Sequence, residues 1–219
     1  MNKENIKAIL FDSDGTLFMS EYRQAKVWKN ILDDYNIEIP KEDYLLYAGK
    51  TSEQIEEIIT SKYDLNLNKG DLVKRRDEEM LKLYGEDGLE LMPCAREAVE
   101  FFHKHPNFKI ALCTNGGKEE MEVKLKRNGF DKYFSLVITK TDVDKPKPAP
   151  DIYLAAMDKL KVKPKECLVI EDTEHGLKAA KASGAYCFVV PNGFADGHDF
   201  TKADKILTSL RDLIKFFKE

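Results

Sequence analysis

The sequence predicts an α/β protein in which a doubly wound parallel sheet carries an inserted helical segment. From residue 91 onward, short aliphatic runs alternate with stretches of helical spacing. Strands separated by helices of about 10 to 15 residues indicate right-handed crossovers and a parallel sheet that is covered on both faces. Residues 21–84, by contrast, combine many charges with helical spacing and contain no strong strand pattern. They predict a small helical module inserted after the first strand.

The overall composition is that of a globular protein. Its length of 219 residues suffices for one large domain or two modest ones. The net charge is −4, and a broad nucleic-acid-binding surface needs clustered Lys and Arg, so we expect no nucleic-acid partner. No apolar run approaches the length that spans a bilayer, and the first residues contain no apolar signal region. We therefore expect no membrane partner.

Cysteine usage indicates a reducing compartment. The four cysteines lie far apart, and no two of them form a C-x-x-C pair. Three lie within or beside apolar runs, which is typical of core thiols rather than of a disulfide or zinc framework. We therefore expect a cytoplasmic protein with four reduced cysteines: Cys94, Cys113, Cys167 and Cys187.

The first strand is predicted over residues 6–11, and it ends at a polar stretch that contains Asp12, Asp14, Gly15 and Thr16. The carboxyl end of a strand is where open α/β sheets place their ligands. Asp12 and Asp14 are two residues apart, so on an extended chain their side chains point the same way and can share a cation. An ordinary Asp-Gly turn is the alternative that this stretch alone leaves open.

Three helices are predicted in the inserted segment. The first has apolar residues on one face, and the second is capped by Thr51 or Ser52. The third runs over residues 69–83, and the segment closes at Gly88. Within the third helix, the run 74–79 mixes both signs of charge. Such a mixture favours a solvated face over a basic binding patch.

The second half of the chain predicts further strands and helices in alternation. The predicted strands cover residues 108–113, 135–139, 166–170 and 186–190. The predicted helices cover residues 93–103, 119–128, 151–160, 176–183 and 207–217. Gly129 and Gly184 directly follow two of these helices, where glycine is the preferred terminator.

Polar side chains follow the carboxyl ends of several predicted strands. In chain order they are Asp12, Asp14, Thr114, Asn115, Lys145, Lys147, Glu171 and Asp172. The carboxyl ends of parallel strands share one edge, so these groups can converge. Carboxylates hold a hard divalent ion such as Mg²⁺, while a hydroxyl, turn amides and an ammonium group bind phosphate oxygens. Because a carboxylate can also attack phosphorus and a second can act as acid and base, the set favours phosphoryl transfer.

These ordered motifs resemble the haloacid dehalogenase-like (HAD) superfamily, in the helical-cap branch of the β-phosphoglucomutases and phosphoglycolate phosphatases. The matching stretches are Asp12–Leu17, Thr114–Asn115, Lys147–Asp151 and Glu171–Gly176. The resemblance covers essentially the whole chain. It implies a Rossmann-like α/β core over residues 1–18 and 89–219, with a helical cap over residues 19–88.

By the same resemblance, Asp12 is the nucleophile and Asp14 is the general acid and base. Mg²⁺ is assigned to Asp12, to the main-chain carbonyl of Asp14 and to Asp172, with Glu171 beside the metal. Lys147 is a phosphate ligand, since it is the lysine that precedes Pro-Ala-Pro-Asp. The nearby Lys145 is the competing candidate from spacing alone.

Four further residues are implied to bind the substrate. Thr114 and Asn115 lie in the second motif, and Thr16 lies in the first. Lys50 follows Gly49 in a stretch that resembles the cap loop facing the active site in relatives. A solvent-facing lysine before a helix is the alternative for Lys50.

The resemblance implies a Mg²⁺-dependent phosphatase that hydrolyses a small phosphorylated metabolite, a sugar phosphate or a phosphoglycolate-like ester, through an aspartyl-phosphate. Asp14 favours a phosphatase over a dehalogenase, because an alcohol leaving group needs a proton. A sugar phosphomutase is the alternative, although Gln24 stands where the mutases have histidine. A phospho-acceptor signalling module is the weaker alternative, since such receivers are roughly half this length. We expect a monomer or weak dimer.

Two residues depart from the family pattern. Many relatives have Asp at the position of Met19 and Gly at the position of Cys94. Met19 lies at the expected hinge into the cap, so hinge behaviour does not transfer from any one relative.

Overall fold

The computed structural model describes residues 1–38, 40, 50–87 and 89–219. Two predictions fall outside these residues. They concern Gly49, in the loop expected to face the site, and Gly88, at the end of the helical segment.

In the described part of the chain, six parallel strands form one sheet in the order β3-β2-β1-β4-β5-β6. The strands are β1 (Ala8–Phe11), β2 (Lys109–Cys113), β3 (Leu136–Ile138), β4 (Cys167–Glu171), β5 (Tyr186–Val189) and β6 (Lys205–Ile206). The predicted doubly wound α/β fold is confirmed. Sequence analysis missed β6, which has two exposed residues and therefore no apolar run to detect.

The strand order reverses direction between β1 and β4. Strands β2 and β3 extend the sheet on one side of β1, while β4, β5 and β6 extend it on the other. Phe11 at the end of β1 pairs with Leu112 of β2 and with Ile170 of β4, so these three strands end at nearly the same level. Crevices at such reversal points are the preferred ligand sites of open α/β sheets.

The core lies on both faces of the sheet. All four residues of β1 are buried, which explains why this central strand has a continuous apolar sequence rather than an alternating one. Ile9 and Phe11 belong to the cluster on one face, and Ala8 and Leu10 belong to the cluster on the other. The alternation follows the two-residue period of a strand.

Among the residues that the structure describes, the α-helices are α1 (Glu21–Asp33), α2 (Ser52–Lys62), α3 (Asp71–Asp87), α4 (Ala95–Lys104), α5 (Lys118–Arg127), α6 (Asp151–Leu160), α7 (Glu174–Ala182) and α8 (Leu210–Lys218). Helix α4 packs on β2 and on α8. Helix α6 packs on β2, β3 and α7, and α7 packs on β4 and β5. Helices α1, α2 and α3 lie between β1 and α4 in the described part of the chain, so the predicted helical insertion is observed.

Helix α3 is the element of the inserted segment that contacts both its own neighbours and α5. The buried Glu56 of α2 accepts hydrogen bonds from the main-chain nitrogens of Gly70 and Leu72, both at 2.8 Å, and so caps the start of α3. Thr51 caps α2 in a capping box with Gln54. Of the two predicted caps, Thr51 is the one used.

The chain enters and leaves the helical segment at adjacent points. The main-chain nitrogen of Met19 donates to the carbonyl of Glu90 at 2.9 Å, and that of Met92 donates to the carbonyl of Leu17 at 2.8 Å. Phe18 forms an antiparallel bridge with Leu91 between them. These paired crossings hold the segment beside the carboxyl end of β1.

Within the described ranges, no helix combines the length and the apolar character needed to cross a bilayer. The four cysteines are free. Three of them are buried, and Cys94 is half-buried.

Candidate active site

Three buried carboxylates converge at the reversal point of the sheet. Ligand oxygens of Asp12, Glu171 and Asp172 all lie within 4.8 Å of one another. Asp12 directly follows β1, and its main-chain nitrogen continues the ladder to β4 by donating to Ile170 at 2.9 Å. Neighbouring strands that end at the same level therefore bring together acids that lie far apart in sequence.

Lys147 supplies a buried positive charge between these acids. Its Nζ lies 2.5 Å from Oδ1 of Asp12 and 2.7 Å from Oε1 of Glu171, and it donates to the carbonyl of Cys113 at 2.9 Å. Asn115 fixes the Lys147 main chain, since its amide donates to the carbonyl of Lys147 at 3.1 Å and its oxygen accepts from the nitrogen at 2.9 Å. The competing Lys145 is exposed.

The electrostatics of the cluster fit a bound cation. Burial raises the pKa of Asp12 to about 8, with Lys147 opposing the shift and Glu171 adding to it. Burial and the nearby Glu21 also raise the pKa of Asp172 well above its ordinary value. Three carboxylates around one ammonium group leave an excess of negative charge, and the atoms that could bind a metal are all oxygens. A hard divalent cation suits such a donor set.

Asp172 is held by two neighbours. Thr16 Oγ1 donates to its Oδ1 at 3.2 Å, and Asn192 Nδ2 donates to its Oδ2 at 2.8 Å. Gly15, with a φ of +76°, lets the chain pass close by, because a Cβ there would lie 2.1 Å from Asp172 Oδ2 and 2.0 Å from Glu21 Oε1. The structure therefore places Thr16 on Asp172, and substrate binding by Thr16 stays a prediction.

Both oxygens of Glu171 are occupied by protein groups. Tyr153 donates its hydroxyl to Oε1 at 2.5 Å, so Oε1 receives both Tyr153 and Lys147. Oε2 accepts from the main-chain nitrogen of Asp172 at 3.2 Å and from Thr173 Oγ1 at 3.3 Å. Both carboxylate oxygens of Glu171 therefore have protein partners, and Oε1 contacts the ammonium group of Lys147.

Asp14 lies apart from the three-acid cluster and has its own donors. Oδ1 accepts hydrogen bonds from Lys124 Nζ at 2.6 Å and from Ser20 Oγ. The carboxylate side chain is 22% exposed and lines the cavity in front of Asp12. The two side chains therefore have different neighbours: Asp12 belongs to the cluster of three acids, whereas Asp14 Oδ1 accepts hydrogen bonds from Lys124 and Ser20.

The cavity lies between the carboxyl edge of the sheet and the helical segment. From the sheet side it is lined by Asp12, Asp14, Thr114, Asn115, Gly116 and Lys147. From the helical segment it is lined by Glu21, Gln24, Ala25, Trp28, Lys50, Ser52, Ile55 and Arg76. Lys50 is half-buried on this wall, and burial lowers its pKa. Thr114 is buried at the base of the cavity.

The interpretation of the run 74–79 as a solvated face is wrong at one position. Arg76 is only 5% exposed, and its Nη1 lies 2.6 Å from Oε2 of Glu120 on α5. Arg75 and Lys74 do remain on the outside of the helix. Charge pattern alone could not separate them, because it does not show which face of α3 packs on α5.

Several site residues were missed by sequence analysis: Glu21, Lys124, Tyr153 and Asn192. Lys124 carried the clearest signal, since it follows Met121 by three residues and precedes Leu125 on the buried face of α5. A lysine on an apolar helical face is unusual unless it is paired. Asn192 lies in a loop and carried no comparable signal.

Comparison with known proteins agrees with this geometry. A sequence model of the haloacid dehalogenase-like hydrolases matches residues 6–184. The chain belongs to this family. It is accordingly an enzyme of the hydrolase class.

Two sequence relatives and one solved structure show how similar this chain is to individual proteins. The chain is 27% identical over 98% of its length to the phosphorylated carbohydrates phosphatase of Thermotoga maritima, and it covers 99% of that protein. It is 29% identical over 96% of its length to the bifunctional riboflavin kinase/FMN phosphatase of Arabidopsis thaliana, and it spans 55% of that longer protein. The crystal structure of CbbY from Rhodobacter sphaeroides in complex with phosphate superposes with a TM-score of 0.84 at 25% identity, covering 95% of this chain and 96% of CbbY.

Proposed function

We propose that this HAD-like hydrolase is a Mg²⁺-dependent phosphatase that hydrolyses a small phosphorylated metabolite, a sugar phosphate or a phosphoglycolate-like ester, through an aspartyl-phosphate on Asp12. The observation that carries the proposal is the buried contact of Lys147 with Asp12 and Glu171 beside Asp172. A nucleophilic carboxylate, a fixed cation and a cluster of oxygen donors are the parts that phosphoryl transfer needs. The phosphatase named among its relatives supports the same class of reaction.

In the first step, an Asp12 oxygen attacks phosphorus while the bond from phosphorus to the ester oxygen breaks. Asp14 gives its proton to the departing alcohol. Lys147 and Thr114 bind the phosphate oxygens, and Asn115 keeps the Lys147 main chain in place. In the second step, Asp14 takes a proton from water, the water oxygen attacks phosphorus, and the bond to Asp12 breaks to release phosphate.

Mg²⁺, when bound, would neutralise charge on the phosphate oxygens and orient them for in-line attack. Asp12, Asp172 and the main-chain carbonyl of Asp14 would hold it, with Glu171 beside it. Thr16 and Asn192 keep the Asp172 carboxylate in position. Glu171 then acts mainly through Lys147, to which it is bound.

We further propose that residues 19–88 form a cap that selects the substrate. Trp28 and Arg76 of the helical segment line the cavity, and each has a buried donor, Trp28 Nε1 and Arg76 Nε, without a hydrogen-bond partner among the described residues. Buried donors without partners are costly, so they favour a ligand that brings acceptor oxygens. Lys50 adds positive charge to the same wall. A hydroxyl-rich or doubly anionic phosphate ester has these acceptors.

The sugar phosphomutase remains the alternative function. Gln24 lines the cavity at the position where the mutases carry histidine. An amide neither donates nor accepts a proton readily at neutral pH, so Gln24 favours release of free phosphate over transfer to a second sugar hydroxyl. The signalling module has no support from the cavity, which provides room for a substrate beside Asp12.

We propose that the enzyme works in the cytoplasm as a monomer or weak dimer. Its four cysteines are free, as a reducing compartment would keep them. The net charge of −4 supports the expectation that its partner is a small metabolite rather than a nucleic acid.

The test of the proposed function is Asp12→Asn, assayed with Mg²⁺ against a panel of sugar phosphates, phosphoglycolate, nucleotides and pyrophosphate. We expect the wild type to release phosphate and to carry acid-stable phosphate label after rapid quenching. Asp12→Asn should do neither while remaining folded with a cooperative thermal transition, at a lowered melting temperature because the buried charge of Lys147 loses a partner. Asp158→Asn, at an exposed acid on α6, is the matched control and should behave as wild type. Near-full activity in Asp12→Asn would exclude the aspartyl-phosphate route.

A further inference from the structure

A buried lysine outside the family motifs contacts Asp14. The Lys124 side chain is 0% exposed, and its Nζ lies 2.6 Å from Oδ1 of Asp14 and 2.5 Å from Oε1 of Glu120. It also lies 4.8 Å from the centre of the Tyr84 ring. A fully buried ammonium group is rare unless it is paired, and this one is paired on both sides.

The two donors to Asp14 fix its orientation. Lys124 on α5 and Ser20 at the start of α1 both donate to Oδ1, so this oxygen is held from two separate elements. Among the described residues, neither of these donors reaches Oδ2 of Asp14. Because Asp14 lines the cavity, Oδ2 is the oxygen available for proton transfer to a substrate.

The same lysine connects Asp14 to the inserted segment. Glu120 pairs with Lys124 through Oε1 and with Arg76 of α3 through Oε2, at 2.5 and 2.6 Å. Although burial alone would raise the pKa of Glu120, Arg76 and Lys124 outweigh it and lower the pKa to about 2. The result is a buried chain of alternating charges that runs from α3 through α5 to Asp14.

We propose that Lys124 is a positioning residue that holds the Asp14 carboxylate for proton transfer, and that Glu120 and Arg76 extend this hold to helix α3. The proposal rests on the proposed acid and base role of Asp14. Its consequence is chemical: an alkyl ester needs a proton on its leaving oxygen, whereas p-nitrophenolate departs without one. Displacement of Asp14 should therefore slow hydrolysis of an alkyl ester more than hydrolysis of p-nitrophenyl phosphate.

The test is Lys124→Met, which keeps the length of the side chain but removes its charge. Lys126→Met is the matched control, because Lys126 lies on the same helix and is exposed. The measurement is kcat/KM for a sugar phosphate and for p-nitrophenyl phosphate, both with Mg²⁺. We expect Lys124→Met to lower kcat/KM for the sugar phosphate by on the order of 10²-fold, as a displacement of about 1 Å can do. The factor lost on the nitrophenyl ester should be about tenfold smaller. Lys126→Met should change neither value.

Equal losses on the two esters, or no loss at all, would overturn the positioning role and leave Lys124 as a structural ion pair. Asp14→Asn, assayed in parallel, must show the same dependence on the leaving group; if it does not, the proposed function of Asp14 fails rather than the role of Lys124. Because removing one partner of a buried pair can prevent folding, Lys124→Met is also made together with Glu120→Gln, which keeps the buried charge balanced. The same comparison of esters applies to that double variant.

The link to α3 is tested by a double-mutant cycle between Arg76 and Lys124. Arg76 also lines the cavity, so Arg76→Met alone is expected to weaken binding of any substrate. The informative readout is the ratio of kcat/KM for the two esters. If the link exists, Arg76→Met should change this ratio in the wild type and not in the Lys124→Met background. If Arg76→Met and Lys124→Met changed this ratio independently, so that their effects multiplied in the double variant, α3 would not position Asp14.

Discussion

Lys147 Nζ lies 2.5 Å from Oδ1 of Asp12, and neither side chain is more than 11% exposed. The contact joins the end of β1 to a loop 135 residues later in the chain. Burial opposes the positive charge of Lys147, but Asp12 and Glu171 outweigh it and raise the pKa of the lysine. The ammonium group therefore stays charged beside the carboxylate that we propose as nucleophile, where the phosphate oxygens must also lie.

Lys147→Met should reduce kcat by about 10²- to 10³-fold, because a fixed charge at the reacting phosphate would be lost. Lys145→Met is the control, because Lys145 lies in the same loop but is exposed. This variant should keep kcat within about twofold of the wild-type value. Steady-state kinetics with Mg²⁺ measures both. Similar losses in the two variants would show that the loop as a whole, and not the contact with Asp12, determines the activity.

Gly176→Ala should displace Glu171 and with it Lys147. A Cβ on Gly176 would lie 1.9 Å from both Cδ and Oε1 of Glu171. We expect a loss of about 1–3 kcal/mol in the free energy of unfolding from overpacking and a fall in kcat of about tenfold or more from misplacement. Urea unfolding and steady-state kinetics report the two effects.

Gly85→Ala is the matched control for this substitution, since a Cβ in that part of α3 meets nothing within 4 Å. In a helix interior, Ala in place of Gly should raise stability by about 0.5–1 kcal/mol without changing kcat. If Gly176→Ala were as well tolerated, the close packing of α7 on Glu171 would be refuted.

The lowered pKa of Glu120 predicts that part of the free energy of unfolding depends on pH. Its pKa is about 2 in the folded protein against an ordinary value of 4.5, so the folded state binds this proton less readily than the unfolded state does. The stabilisation is therefore complete above pH 4.5 and is lost as the pH falls toward 2. It amounts to about 3 kcal/mol as an order of magnitude.

Urea unfolding of the wild type and of Glu120→Gln between pH 2 and 6 checks this expectation. The variant should be less stable than the wild type at pH 6, and the difference between the two proteins should shrink toward pH 2. A difference that stays constant over this range would mean that Glu120 does not titrate as the ion pairs with Arg76 and Lys124 require.

Cys94→Gly should stabilise the protein. Cys94 precedes α4 in a left-handed conformation with φ of +63°, which costs an L-residue roughly 1–2 kcal/mol. Glycine removes this strain but loses more entropy on folding, so the expected net gain is about 0.5–1 kcal/mol. The reverse change, Gly129→Ala, tests the same principle, because Gly129 has the same φ of +63° and open space around it. It should destabilise the protein, and thermal unfolding measures both variants.

Much of the fold followed from local patterns. The buried central strand β1 had to be a continuous apolar run, and α6 begins and ends where its apolar periodicity begins and ends, at Asp151 and Leu160. The family also followed from the sequence, because its motifs occur in order and at fixed strand ends. The left-handed backbone at Cys94 is a conformation that glycine adopts at less cost than cysteine, and only the structure revealed it.

The sequence by itself therefore determined the α/β class, the helical insertion and the family, since apolar periodicity and the motifs at strand ends are local properties. Only the tertiary structure decided which groups meet. It placed Asn115 on the Lys147 main chain, Thr16 on Asp172 and Arg76 against Glu120. It also placed Lys124 on Asp14. These partners lie on different elements, and a contact between elements depends on how helices pack against the sheet, which no local pattern encodes.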